Sequence, residues 1–292
     1  MIETFAIWMT GARPRTLPAA IAPILAGVAS AAAVGQHDLI AALLAAVVSL
    51  ALQVGVNYAN DYSDGVRGTD DDRVGPTRLV ASGLASASAV KRAAFISFGV
   101  AAVAGLVLVV LSGLWWLLAL GGACILAAWF YTGGKRPYGY LGFGELMVFV
   151  FFGLVATLGT TLVIAGGVPA HAWIAGAGVG SLASAILVAN NLRDIDTDRI
   201  SGKLTLPARL GDARSRWLYA LLCGVAAVCI VVFAALTTWF ALVALLSLLL
   251  LVDPLRRVLG GRGGMELIPV IAGTGFAEIG LGLGLMVGVW LA

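Results

Sequence analysis

Charge is what this 292-residue chain has least of: Asp, Glu, Lys and Arg make up 11% of it, against about a quarter in soluble globular domains. With 61% hydrophobic residues and a mean hydropathy of +1.01, that scarcity excludes a soluble domain. Histidine is nearly missing, with two residues, His37 and His171. Cysteine is sparse too. Cys124, Cys223 and Cys229 sit in apolar runs without paired spacing, which excludes a disulfide framework or a thiolate metal site. Strand-type alternation is missing as well, which excludes a transmembrane barrel. The net charge of +3 is small, and nucleic acid is not an expected partner.

What the chain does have is long apolar runs, and an apolar helix of about 17–25 residues spans a bilayer. Nine spans fit: about 16–34, 39–60, 91–111, 114–132, 141–165, 171–193, 215–235, 238–252 and 266–290. Arg13 and Arg15 precede an apolar segment broken by Pro18 and Pro23, read as the first span rather than a removed signal. All 18 Lys and Arg residues fall in that N-terminal segment and in the linkers after the second, fourth, sixth and eighth spans. Since Lys and Arg mark cytoplasmic loops, the N-terminus is expected inside and the C-terminus outside. The expectation is an all-α polytopic protein of the plasma membrane, one domain over 1–292, with the bilayer as a partner and its chemistry facing the cytoplasm. The two long inside linkers, 61–90 and 194–214, are expected to form capping loops with short helices. No feature of the sequence fixes an oligomeric state.

The stretch 53–78 concentrates the polar residues. Gln53, Asn57, Asn60, Asp61 and Asp64 recur every three or four positions and so share one face of a helix. Asp70, Asp71 and Asp72 follow, a short acidic run of the kind more often simply solvated. A second cluster, Asn190, Asn191, Asp194 and Asp198, ends the sixth span with the same offset of four between Asn and Asp. Two similar clusters four spans apart are the trace of an internal repeat. One acidic loop is as readily explained by helix capping; two at matching places, each with Asn partners, are not.

Clustered carboxylates at a membrane surface need a countercharge. The donors are all hard oxygens, so Mg²⁺ is favoured over zinc or copper, and Mg²⁺ typically takes one or two carboxylates together with substrate phosphates. Lys135, Arg136, Arg193, Arg199 and Lys203 fall on the same side and can complete a diphosphate site.

At these residues the chain resembles the UbiA superfamily of intramembrane prenyltransferases, with motifs N-D-x-x-D-x-x-x-D and D-x-x-x-D. Asn60, Asp61 and Asp64 match the first, Asp194 and Asp198 the second, and Gly68 stands where the last aspartate of the first motif is expected, two residues before Asp70. Longer strings, A-R-P-R-T-L-P-A-A (12–20), N-Y-A-N-D-Y-S-D-G-V-R-G-T-D (57–70), R-V-G-P-x-R-L-V-A-S-G (73–83), N-N-L-R-D-I-x-T-D (190–198) and G-K-x-T-L (202–206), are similar to the branch that prenylates 1,4-dihydroxy-2-naphthoate in menaquinone synthesis. The resemblance implies a nine-helix bundle and Mg²⁺-dependent transfer from a polyprenyl diphosphate to that acceptor, with loss of carbon dioxide. On this reading Asp61, Asp64, Asp194 and Asp198, with Asp70, hold the metal, and Asn60, Lys135, Arg136, Arg193 and Lys203 hold the diphosphate. Asp61, Asp64, Asp194, Asp198 and Lys203 form the catalytic set. Gln53, Asn57, Tyr131, Glu145, Phe149, Phe152, Asn190 and Asn191 line the acceptor or prenyl pocket, where Tyr131 and the phenylalanines, Phe151 among them, can offer π faces to an allylic cation. Glu278, deep in the ninth span, has no assigned role. Rival readings are a prenyltransferase for 4-hydroxybenzoate or homogentisate and, in another class, a cation-coupled transporter, whose sites sit near the bilayer midplane rather than at helix ends.

Overall fold

The computed structural model describes residues 2–69 and 77–292, and among these every regular element is helical. The chain opens with α1 (Ile2–Ala12) and α2 (Pro18–Ala32), and the arm Phe5–Thr16 meets α2 at an angle of 52°. The bend is built by a single 3₁₀ turn, Pro14–Thr16, entered through Arg13 in the left-handed region at φ 53°. Neither Pro14 nor Pro18 has an N–H to continue a helix across it. The first expected span is therefore a broken one.

Next come α3 (Leu39–Arg67), α4 (Ala87–Ser112), α5 (Leu117–Phe130) and α6 (Gly144–Ala165). Asp38 and Ser86 cap α3 and α4, each accepting the N–H three residues on, which satisfies a donor the helix start would leave orphaned. After these come α7 (Ala170–Arg193), the short α8 (Ile195–Ile200) and α9 (Leu206–Leu210), then α10 (Asp212–Leu236), α11 (Trp239–Leu259) and α12 (Gly264–Trp290). Seven of these, α3, α4, α6, α7, α10, α11 and α12, are long and apolar enough to cross a membrane, and α1–α2 makes eight if the bent pair counts as one span. The fourth expected span is α5, whose 14 residues reach roughly 21 Å against the ~30 Å of a hydrocarbon core. All nine expected segments have helical counterparts, but length and composition support seven or eight crossings.

α7 is the central helix. Of its apolar window 78% is buried, against 28% for α3 and α6. One core gathers α2, α7, α10, α11 and α12, and a second joins α1, α3 and α4 through Tyr58, Phe98 and Leu79. The remaining apolar side chains, such as Leu39, Val103, Leu221 and Leu249, face outward, as they must where the surroundings are lipid. α6 lies tightly on α7: a Cβ at Gly153 would stand 2.5 Å from the Gly180 Cα, so the two backbones meet where neither residue has a side chain. Gly153 belongs to a π-wound segment, Phe149–Val155, in the middle of α6, a local widening of the turn that recurs at functional sites.

Candidate active site

The bundle encloses a cavity of about 570 Å³ between α2, α3, α4, α5, α6 and α7. At one end it is lined by Arg13, Asn57, Asp64, Arg78, Asn190 and Lys203, and further along by Val48, Leu108, Val109, Val155 and Val163. A charged mouth thus opens into an apolar interior.

α3 carries the first motif further than the hydropathy indicates. It continues through Asp61 and Asp64 to Arg67 and stops at Gly68, whose φ of 74° lets its N–H and that of Thr69 turn back to the last carbonyls. That left-handed cap favours glycine, which explains the residue found where the family pattern has aspartate. Asp64 is 3% exposed, lines the cavity and accepts the Tyr140 hydroxyl at 2.7 Å. Asp61, fully buried, accepts the backbone N–H groups of Leu79 and Val80 at 2.8 and 3.0 Å and so fastens the segment that carries Arg78. The Asn60 side-chain oxygen accepts the Thr132 hydroxyl at 2.8 Å. Asn57 donates to the Ala12 carbonyl and to Thr16, and Gln53 also donates to Thr16. The polar stripe of α3 therefore holds the α1–α2 turn in place while lining the cavity. Asp70 lies outside the described residues.

The second motif straddles a break. Asp194 leaves helical geometry between α7 and α8 and receives both Nε and a terminal nitrogen of Arg193, at 2.7 and 2.6 Å. Asp198 sits on α8 with its N–H bonded to the Asp194 carbonyl at 2.8 Å. Its carboxylate lies 3.9 Å from the Lys203 ammonium and accepts the Thr205 hydroxyl at 3.3 Å. Short helices α8 and α9 do form in the 194–214 linker. Asn190 and Asn191 both line the cavity, and Asn191 donates to Glu145 Oε1 at 2.9 Å. The second Glu145 oxygen is buried with no hydrogen-bond partner among the described residues.

Tyr140, which sequence reasoning missed, stands between the motifs. Burial, then the Asp64 charge, push its phenol well above the ordinary tyrosine value, so it remains a donor. Arg13, Thr16 and Arg78 were also missed as lining residues; the strings A-R-P-R-T and R-V-G-P-x-R were their only trace. Several expected residues are placed elsewhere. Lys135 and Arg136 are exposed and are not among the lining residues, because the chain reverses at Gly134, φ 79°, and turns both outward. Arg193 is committed to Asp194, and Arg199 donates to the Ala208 carbonyl. Phe149 packs on α7, 3.0 Å from where a Gly180 Cβ would stand, whereas Phe151, Phe152 and Tyr131 line the cavity. Glu278 is fully buried in α12 and, among the described residues, neither of its oxygens has a hydrogen-bond partner.

Residues 20–262 match the model of the UbiA prenyltransferase family. The chain belongs to that family. It is 54% identical to the 1,4-dihydroxy-2-naphthoate octaprenyltransferase of Mycobacterium tuberculosis (strain ATCC 25618 / H37Rv), covering 95% of this chain and 94% of that one. To the Escherichia coli (strain K12) protein of the same name it is 38% identical, covering 98% and 95%. The fold is shared with a UbiA homologue from Aeropyrum pernix K1, at a TM-score of 0.69 and 18% identity over 92% of this chain and 97% of that one. It is shared also with a UbiA homologue from Archaeoglobus fulgidus bound to DMAPP and Mg²⁺, at 0.61 and 15% over 96% and 99%. Membership in the UbiA prenyltransferase family makes this chain an enzyme and removes the transporter reading.

Among the described residues no three or more His, Cys, Asp or Glu side chains gather as a metal cage. Mg²⁺ keeps several waters and combines one or two carboxylates with substrate phosphates. Asp64, on the cavity lining, and buried Asp198, whose carboxylate lies 3.9 Å from the ammonium of the lining Lys203, offer hard oxygen donors that fit such a shared site.

Proposed function

We propose that this chain transfers a polyprenyl group from its diphosphate to 1,4-dihydroxy-2-naphthoate, with release of carbon dioxide, in menaquinone synthesis. The observation that carries this reading is one cavity with a charged mouth and an apolar interior, in a UbiA chain 54% identical to a protein named for that reaction. Asp64 and Asp198 would hold Mg²⁺, with Asp61 and Asp194 supporting the backbone around them. When bound, the metal supplies Lewis-acid neutralisation of the diphosphate.

The rest is the work of the chain. Lys203, with Arg13 and Arg78 on the same lining, sets fixed positive charge against the negative charge that develops as the allylic C–O bond breaks and the diphosphate leaves with the bonding electrons. The apolar interior keeps water from the allylic cation, with Phe151, Phe152 and Tyr131 presenting π faces. Asn190 and Asn191 orient the acceptor. The ring carbon forms the new C–C bond, and departing carbon dioxide leaves its electron pair to the ring in place of a lost proton, giving the aromatic diol that is the reduced form of demethylmenaquinone.

In the membrane we place the N-terminus and the mouth on the cytoplasmic side of the plasma membrane, in a nine-segment bundle in which α5 counts as the short fourth segment. The one-sided Lys and Arg distribution supports this orientation. The test is purified chain supplied with Mg²⁺, a polyprenyl diphosphate and, in turn, 1,4-dihydroxy-2-naphthoate, 4-hydroxybenzoate and homogentisate. Prenylation of the naphthoate is expected to exceed the others by at least ~100-fold, since a missing or misplaced buried polar group costs a few kcal/mol. Transfer to either of the others at a comparable rate overturns the acceptor.

A further inference from the structure

We propose that Tyr140 is a positioning residue that couples the two acidic motifs, holding Asp64 with its hydroxyl and Lys203 with its ring. It lies in the 3₁₀ turn Tyr138–Leu141, remote in sequence from both motifs. Its hydroxyl donates to Asp64 Oδ1 at 2.7 Å and lies 3.3 Å from the Thr69 hydroxyl. Its carbonyl accepts the Leu204 N–H at 3.1 Å. The Arg67 guanidinium carbon and the Lys203 ammonium each lie 5.4 Å from the ring centroid, within cation–π range. One side chain and one carbonyl thus bind the end of α3 to the segment that follows α8.

The chemical consequence follows from the lone pairs. With one Asp64 oxygen engaged by the phenol, the plane of the carboxylate is fixed before any substrate arrives. Lys203, suspended between the ring and the Asp198 carboxylate 3.9 Å away, keeps its ammonium on the cavity lining. Arg67 braces the same ring while donating to the carbonyls of Thr132 and Gly134. The two halves of the site are then preorganised as one unit, which matters most for groups that must act together on a single diphosphate.

The inference rests on the reading above that Asp64 helps to hold a divalent metal. It is tested on full-length chain in detergent with Mn²⁺ as the probe, its free fraction followed by electron paramagnetic resonance in the presence of inorganic diphosphate, for wild type, Tyr140→Phe and Tyr140→Leu. Tyr140→Phe, which keeps the ring, is expected to weaken Mn²⁺ binding about tenfold while the KM for the acceptor stays unchanged. Tyr140→Leu is expected also to raise the KM for the prenyl diphosphate, because Lys203 loses its aromatic support. Mn²⁺ binding by Tyr140→Phe equal to that of a binding wild type overturns the proposal and leaves the proposed function standing. A wild type that binds no Mn²⁺ with diphosphate overturns the metal reading and this proposal with it.

Discussion

Arg193 closes on the carboxylate of its own chain neighbour, Asp194, through two nitrogens at 2.7 and 2.6 Å, with 2% and 5% of the two side chains exposed. In so buried a pair each charge helps to compensate the other. Removing one partner leaves the other charge less well compensated in a buried place, whereas removing both can be nearly neutral. Arg193→Met is therefore expected to destabilise the fold by about 3–5 kcal/mol, and Arg193→Met with Asp194→Leu to recover most of that loss. Thermal unfolding of the detergent-solubilised variants reads both.

Asp64 and Asp198 are expected to matter through chemistry rather than stability. Asp64→Ala and Asp198→Ala, assayed at saturating Mg²⁺, should each lower kcat by on the order of a hundredfold or more with a near-normal melting temperature. A folded variant with wild-type turnover would remove that residue from the site.

Asp61 should behave differently from Asp64, although both belong to one motif. Its carboxylate accepts two backbone N–H groups. Asp61→Ala removes the acceptor of both, at a cost of about 1–3 kcal/mol for the buried Leu79 N–H and less for the half-buried Val80 N–H. The expected signature is faster proteolysis near residues 77–83 as well as lost activity.

Behind the cavity wall, Glu145 accepts from Asn191 at 2.9 Å. Glu145→Leu deprives that amide of its acceptor, and the KM for the aromatic acceptor is expected to rise about tenfold with the prenyl diphosphate KM unchanged. Glu145→Gln retains a carbonyl acceptor and should fall between. Steady-state kinetics varying each substrate separately decides it.

Orientation is checked by labelling. In a background with Cys124, Cys223 and Cys229 replaced, a cysteine at exposed Gln36 should react with an impermeant maleimide in intact cells, and one at exposed Ala81 only after permeabilisation. The reverse pattern would invert the bundle.

The carboxylates were legible in the sequence because a helix end imposes a spacing of three or four, which survives without knowledge of the fold. The helical class was legible because lipid leaves few alternatives to an apolar helix. Tyr140 was not legible: its hydroxyl meets Asp64 across 76 residues, and nothing in the string P-Y-G-Y-L announces that contact. Lys135 and Arg136 looked suitable because they are cations on the correct side, but the reversal at Gly134 decides which way such neighbours point, and hydropathy carries no such information. The stripe Gln53–Asn57–Asn60 was read as one face, correctly, while its partners Thr16, Ala12 and Thr132 come from other elements. Asp70 falls outside the described residues.

The π-wound stretch of α6 sets the phase of one wall of the cavity. Met147, Phe151, Val155, Gly159 and Val163 all line it, a row spaced by four. On an uninterrupted α-helix such a row drifts by about 40° at every step and would have rotated by about 160° from first to last. The wider turn through Phe149–Val155 takes up much of that drift. Deleting one residue from this stretch would therefore return α6 to ordinary α-winding with the side chains beyond it keeping their faces, whereas deleting one from a plain α-helical part of α6 would turn every lining side chain beyond it by about 100°.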